Sequence, residues 1–228
     1  MTIGPKHIPA SIHARFTNEA KKRGEPFGEV LQYYGIERFL HRLSKTPYAD
    51  SFILKGGLVF YSLDIPLRRP TRDIDFLSEL ESRREIIEEV IKAALAVPFP
   101  EDGLSFDVDS IVLRESQVDA DRKGIRATFM GYLANSEIPM QVDFGFSDEL
   151  TSEPQVINYP SLLHDRDDLR IKGYPIESIV AEKFHTMERF AARPSRWRDY
   201  YDVWLVQSSF ELQDKSLRDA LLGTFAKR

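Results

Sequence analysis

The sequence predicts an α+β chain in which a helical lead-in precedes a mixed β-sheet core and a helical subdomain follows it. Two patterns point to this: apolar residues recur at helical spacing in the first and last stretches, whereas the middle alternates polar and apolar residues with the period of a strand. Composition permits it, since 228 residues, 42% hydrophobic and 29% charged, suffice for one sizeable core or two small ones.

The elements follow in order. Residues 9–22 and 27–44 have helical periodicity, the second through Phe27, Val30, Leu31, Tyr34, Phe39, Leu40 and Leu43, with Pro47 closing it. They make up an N-terminal helical segment, 1–48. The core, 49–160, has strand-like runs at 52–54, 73–78, 104–113, 125–133 and 138–146, a short helix at 58–63 and a charged helix at 83–95. The C-terminal helical subdomain, 161–228, starts with LLHDRDDLR, which reads as a loop. Helices at 176–192, 197–208 and 217–226 follow, with Pro194 separating the first two.

Several chemistries are excluded at once. The chain has no cysteine, so disulfides, thiolate metal sites and cysteine nucleophiles are absent, and metal ligation falls to oxygen or imidazole. The opening MTIGPKHIPASIHARF lacks the pattern of a signal peptide, and no apolar run approaches the roughly 20 residues that span a bilayer. A cytoplasmic location without membrane attachment is expected. A net charge of −5 gives no global attraction to nucleic acid, which leaves that task to local basic clusters.

The most informative stretch is LKGGLVFYSLDIPLRRPTRDIDFL, residues 54–77. On a strand, Asp73 and Asp75 share one face while Ile74 and Phe76 take the other. Two carboxylates so placed suit divalent metals in phosphoryl transfer, where positioning and charge stabilisation supply most of the catalysis. Gly56 and Gly57, lacking Cβ, let backbone N–H groups approach a phosphate at the start of a helix. In MQVDFGF, Asp143 lies opposite in phase to Met140, Val142, Phe144 and Phe146, and so can face the same cleft as the pair. Asp107 or Asp109 in SFDVDS competes for that third role.

Gly-Gly, a short helix and R-x-T-x-D-I-D-F together resemble the catalytic motif of the nucleotidyltransferase (polymerase-beta-like) superfamily. More specifically, the chain resembles the AbiEii/AbiGii-type abortive-infection toxins, which include the MenT-type toxins. YYGIERFLHRLSKTPYADSFILKGG, PIESIVAEKFHTMERF and RWRDYYDVW extend the likeness from about residue 10 to the end. The resemblance implies an NTP-dependent, pyrophosphate-releasing enzyme with two Mg²⁺ ions, held by Asp73, Asp75 and Asp143. It implies nucleotide contacts from Lys55, Gly56, Gly57, Arg69, Thr71 and Lys183, with Lys183 of Ala181-Glu182-Lys183 against the triphosphate and Asp199 orienting it. It also implies the toxin half of a bacterial toxin–antitoxin or phage-defence pair, an RNA acceptor such as the tRNA 3′ end, and a separately encoded antitoxin. Further helical sequence is expected after LLGTFAKR.

Other readings stay open. Asp202, three residues after Asp199, is assigned a structural or supporting role. A protein hydroxyl is the rival acceptor, and a non-catalytic nucleotide-binding module the rival class. Basic groups at Arg68, Arg69 and Arg72, at Arg122, Lys123 and Arg126, and at Arg189, Arg193, Arg196 and Arg198 are candidates for guiding a polyanion. Phe190, Trp197, Tyr200 and Tyr201 fit base stacking and core packing about equally well. His164-Asp165 resembles a phosphohydrolase metal pair but lacks companion histidines, and His185 reads as structural.

Overall fold

A computed structural model of the chain describes residues 8–63, 70–119, 122–146, 153–163, 169–190 and 197–227. Among them a single seven-stranded mixed sheet carries helices on its apolar face and at its end. The strands are β1 (Phe52–Lys55), β2 (Asp73–Ser78), β3 (Leu104–Asp119), β4 (Arg122–Leu133), β5 (Ser136–Phe146), β6 (Gln155–Tyr159) and β7 (Leu169–Gly173), in the order β3-β4-β5-β2-β1-β7-β6. The β2–β5 and β1–β7 pairs are parallel and the others antiparallel. The α+β reading with a mixed sheet therefore holds.

Register decides what each face presents. Leu54 pairs with Phe76, Phe76 with Phe144 and Phe144 with Ile125, giving an apolar row across four strands. All four residues are buried. Helix α2 (Phe27–Leu43) lies over this face, where Phe39 meets Phe129 at 5.3 Å between ring centroids. Helices α1 (Ile8–Arg23) and α4 (Arg84–Ala96) flank it and share the same core.

The periodicity of α2 suggests one buried stripe, yet the helix is buried nearly all round, and Glu37, Arg38 and Arg42 are buried with it. These charges persist because they are paired. Glu37 bonds Arg38 and accepts the Leu162 N–H at 3.0 Å. Arg42 grips both oxygens of buried Asp102 at 2.6 and 3.1 Å, bonds the Leu104 carbonyl, and lies over the Phe106 ring. Asp102 also accepts the Leu104 N–H at 2.9 Å, so the pair is enclosed by further bonds.

Two strands escaped the sequence reading. β6 is one. The other, β7, corrects the loop assigned to LLHDRDDLR, because Leu169 and Arg170 already belong to a strand. The parallel pairing of β7 with β1 brings the sheet past residue 160, where the sequence reading ended the core. After β7 the Tyr174 N–H bonds the Leu54 carbonyl at 2.9 Å, and α5 (Ile176–Phe190) begins. Helices α6 (Trp197–Ser209) and α7 (Asp214–Lys227) pack against α5, with His185 of α5 edge-on to Phe225 of α7 at 5.1 Å. No helix among the described residues is long and apolar enough to cross a membrane.

Candidate active site

On the face opposite the apolar row, the same register sets charged residues side by side. Lys55 of β1 pairs with Asp75 of β2, Asp75 with Asp143 of β5, Asp143 with Arg126 of β4, and Arg126 with Arg114 of β3. Five adjacent strands thus carry one row, cation–anion–anion–cation–cation. Asp73 stands two residues along β2, beside Gln141. Asp107 and Asp109 lie on β3, separated from β2 by β4 and β5, so strand order favours Asp143 as the carboxylate next to the pair. They sit at the irregularity in β3, where Asp107 accepts the Asp109 N–H.

Gly56 ends β1 and opens α3 (Gly57–Ser62) with φ +71°, a conformation that glycine adopts at little cost. A Cβ on it would lie 2.4 Å from Asp75 Oδ2, and one on Gly57 would lie 2.5 Å from Thr71 Oγ1. Both glycines therefore let the turn close onto the segment that carries the aspartates. The Thr71 N–H bonds the Tyr33 hydroxyl at 3.1 Å, and Tyr33 stacks on Tyr61 at 4.5 Å. This anchors the approach to β2 on α2. Arg68 and Arg69 lie outside the described residues, as do His164, Asp165, Arg193 and Arg196.

The electrostatics single out Asp75. Burial under the Gly56 turn pushes its pKa up to about 6. Lys55 opposes that shift, Asp143 and Asp73 add to it by like-charge repulsion, and Lys183 opposes it. One carboxylate thus feels charges from β1, β2, β5 and α5 together. Asp143 accepts bonds from Arg126 Nε at 2.8 Å, from Arg126 Nη2 at 3.0 Å and from Gln141 Nε2 at 3.1 Å. Among the described residues, no three His, Asp or Glu side chains are arranged as a ready metal cluster, and Asp143 is turned to Arg126. The donors facing the cleft are nonetheless hard carboxylate oxygens, the kind that suits Mg²⁺.

The first turns of α5 close one side. Glu182 Oε2 lies 4.0 Å from Lys55 Nζ, linking α5 to β1. Lys183 is buried and its Nζ lies 3.2 Å from Asp199 and 2.7 Å from Asp202. Both aspartates of RWRDYYDVW thus reach the lysine, the more deeply buried Asp202 at the shorter distance. Sequence reasoning missed Glu182, Tyr33 and Arg114. The only sign of Glu182 was its place beside Lys183, and the other two depend on packing and strand pairing. On the outer side of α6, Trp197 is 67% and Trp204 53% exposed, with Tyr200 between them. Core packing accounts for neither tryptophan.

A family model described as "Nucleotidyl transferase AbiEii toxin, Type IV TA system" matches residues 38–228. No curated protein sequence matches the chain. Two crystal structures from Helicobacter pylori are similar at low identity. JHP933 shares 15% identity with a TM-score of 0.41, over 84% of this chain and 88% of its own. A candidate nucleotidyltransferase shares 15% with a TM-score of 0.39, over 84% and 90%.

Proposed function

The chain belongs to the AbiEii nucleotidyl transferase toxin family of type IV toxin–antitoxin systems, and from that premise we propose that it transfers a nucleoside monophosphate from an NTP to an RNA acceptor, the tRNA 3′ end in particular. The carrying observation is the adjacency of Asp75 and Asp143 on neighbouring parallel strands, under a glycine turn fitted to the Asp75 carboxylate.

In this reading Asp73, Asp75 and Asp143 hold Mg²⁺, whose chemistry when bound is to lower the pKa of the attacking hydroxyl and neutralise the leaving pyrophosphate. The chain's own groups do the positioning. The backbone N–H groups after Gly56 and Gly57 donate to phosphate oxygens, with Lys55 and Thr71 beside them. Lys183 sets a fixed cation against the triphosphate, and its two aspartates hold the ammonium in one place, so little reorganisation remains when the nucleotide arrives. A carboxylate poised near pH 6 binds a cation readily at neutral pH, because it is ionised there but poorly neutralised by its surroundings. Membership of the family brings with it a separately encoded antitoxin as the biological partner.

The test is incubation with Mg²⁺, each labelled NTP in turn and total bacterial tRNA, beside Asp75→Ala. Label on tRNA that disappears in the variant supports the reading. Label on protein instead selects a protein hydroxyl as acceptor. NTP binding that persists without label, and is indifferent to Mg²⁺ and to Asp75→Asn, selects a non-catalytic relative.

A further inference from the structure

The charged row has two ends, and only one is used by the reading above. At the Lys55 end lie the Gly56–Gly57 turn and α5, where that reading seats the triphosphate. At the other end Arg126 and Arg114 stand opposite each other on antiparallel strands, two like charges on an exposed sheet face. Like charges directly opposite repel, so this arrangement is costly unless an anion sits over it. Arg126 meanwhile spends its guanidinium on Asp143. Its side chain is 44% exposed against 16% for Asp143, so it covers the carboxylate from the solvent side. Among the described residues its guanidinium has no hydrogen-bond partner besides Asp143. An exposed pair of this kind is weakly held, and a guanidinium that bridges two carboxylate oxygens can bridge two phosphate oxygens equally well.

We propose that Arg126 is an exchangeable counter-ion: it covers Asp143 in the empty site and moves with Arg114 onto a backbone phosphate of the RNA acceptor, uncovering Asp143 for the metal. This rests on the proposed metal-binding role of Asp73, Asp75 and Asp143. It couples acceptor arrival to completion of the metal site, so a nucleotide bound alone meets a site lacking its third carboxylate. Without metal Arg126 exchanges one anion for another; with metal one ion pair becomes two, since Asp143 gains a cation while Arg126 gains an anion, so each ligand favours the other.

The experiment measures Mn²⁺ binding to the full chain without nucleotide or RNA, and separately the salt dependence of binding to a short single-stranded RNA in the presence of EDTA. Arg126→Ala is expected to tighten Mn²⁺ by about fivefold or more, while making the log–log salt slope for RNA shallower by about 0.7. Arg114→Ala is expected to make the same change in slope and leave Mn²⁺ affinity alone. Arg126→Lys, which keeps a cation but cannot bridge both oxygens, should tighten Mn²⁺ and leave the slope unchanged. Opposite effects of one substitution on two ligands are not what a merely structural arginine gives. The proposal is overturned if Arg126→Ala leaves Mn²⁺ binding unchanged or weaker, or if neither arginine contributes to the slope. Asp75→Asn separates the two levels. Mn²⁺ binding that ignores Asp75 in both the wild-type and Arg126→Ala backgrounds sinks the metal-site reading itself, whereas Asp75-dependent binding indifferent to Arg126 sinks the exchange alone.

Discussion

Arg42–Asp102 and Arg126–Asp143 are the same chemical object, a guanidinium bridging two carboxylate oxygens, in two settings. The first is buried, its arginine also bonded to the Arg38 and Leu104 carbonyls and its aspartate to the Leu104 N–H. The second lies on an open sheet face, with one further bond from Gln141. In the interior each partner has no substitute for the other, so the pair fixes α2 to the start of β3. On the open face water or a ligand can replace either partner. The number of bonds surrounding a pair, more than the pair's own geometry, distinguishes a fastener from a latch.

The largest effect that sharpens this contrast is on stability. Asp102→Ala leaves Arg42 charged in the core and is expected to cost about 3–5 kcal/mol in denaturant unfolding. Asp143→Ala should cost about 1 kcal/mol or less, and equal losses would break the distinction.

Next comes Asp75. Its folded pKa of about 6 lies above the ordinary 3.8, so the folded chain holds that proton more tightly than the unfolded chain. Stability from this group is therefore lost as pH rises between those values, and the deficit persists above them. Asp75→Asn, measured in a chelator, should accordingly be more stable than wild type at neutral pH by about 2–3 kcal/mol. The gap in melting temperature should open between about pH 4 and 6 and close in more acid solution. A variant no more stable than wild type at pH 7.5 would contradict the burial of a charged carboxylate at this site.

Smaller still is Tyr33→Phe, which removes the hydroxyl that receives the Thr71 N–H. A loss of about 1 kcal/mol is expected. It should appear in transfer assays as a raised KM for the NTP, since the segment leading to β2 loses its anchor. An unchanged KM would show that the glycine turn alone holds that segment.

The local part of this molecule was legible. The alternation of DIDF and of MQVDFGF gave the two strands and the face shared by their aspartates, and the helices appeared within a few residues of their observed ends. Relations between strands were not legible. That Arg126 meets Asp143 follows from the β4–β5 register, set by the two-residue turn between Leu133 and Ser136, where Ala134 takes the positive φ without the Asn-Gly or Asp-Gly signal that marks such turns. β6 and β7 are five residues each, β7 finds its second partner in β1 far back along the chain, and the charged run before β7 masks it. The buried charges of α2 read as a polar face because their partners, Asp102 and Leu162, are distant in sequence.

The exposed edge of α6 has an optical consequence. The chain's two tryptophans are Trp197 and Trp204, both on that helix and both more than half exposed. Native emission should therefore be red-shifted and readily quenched by acrylamide, and it should change little as the sheet unfolds. Tyr33, Tyr34, Tyr61 and Tyr159, all buried, are the chromophores that follow the core. Tryptophan fluorescence is instead a local signal from the helix that carries Asp199 and Asp202, and with no introduced label it registers whatever comes to rest on that surface.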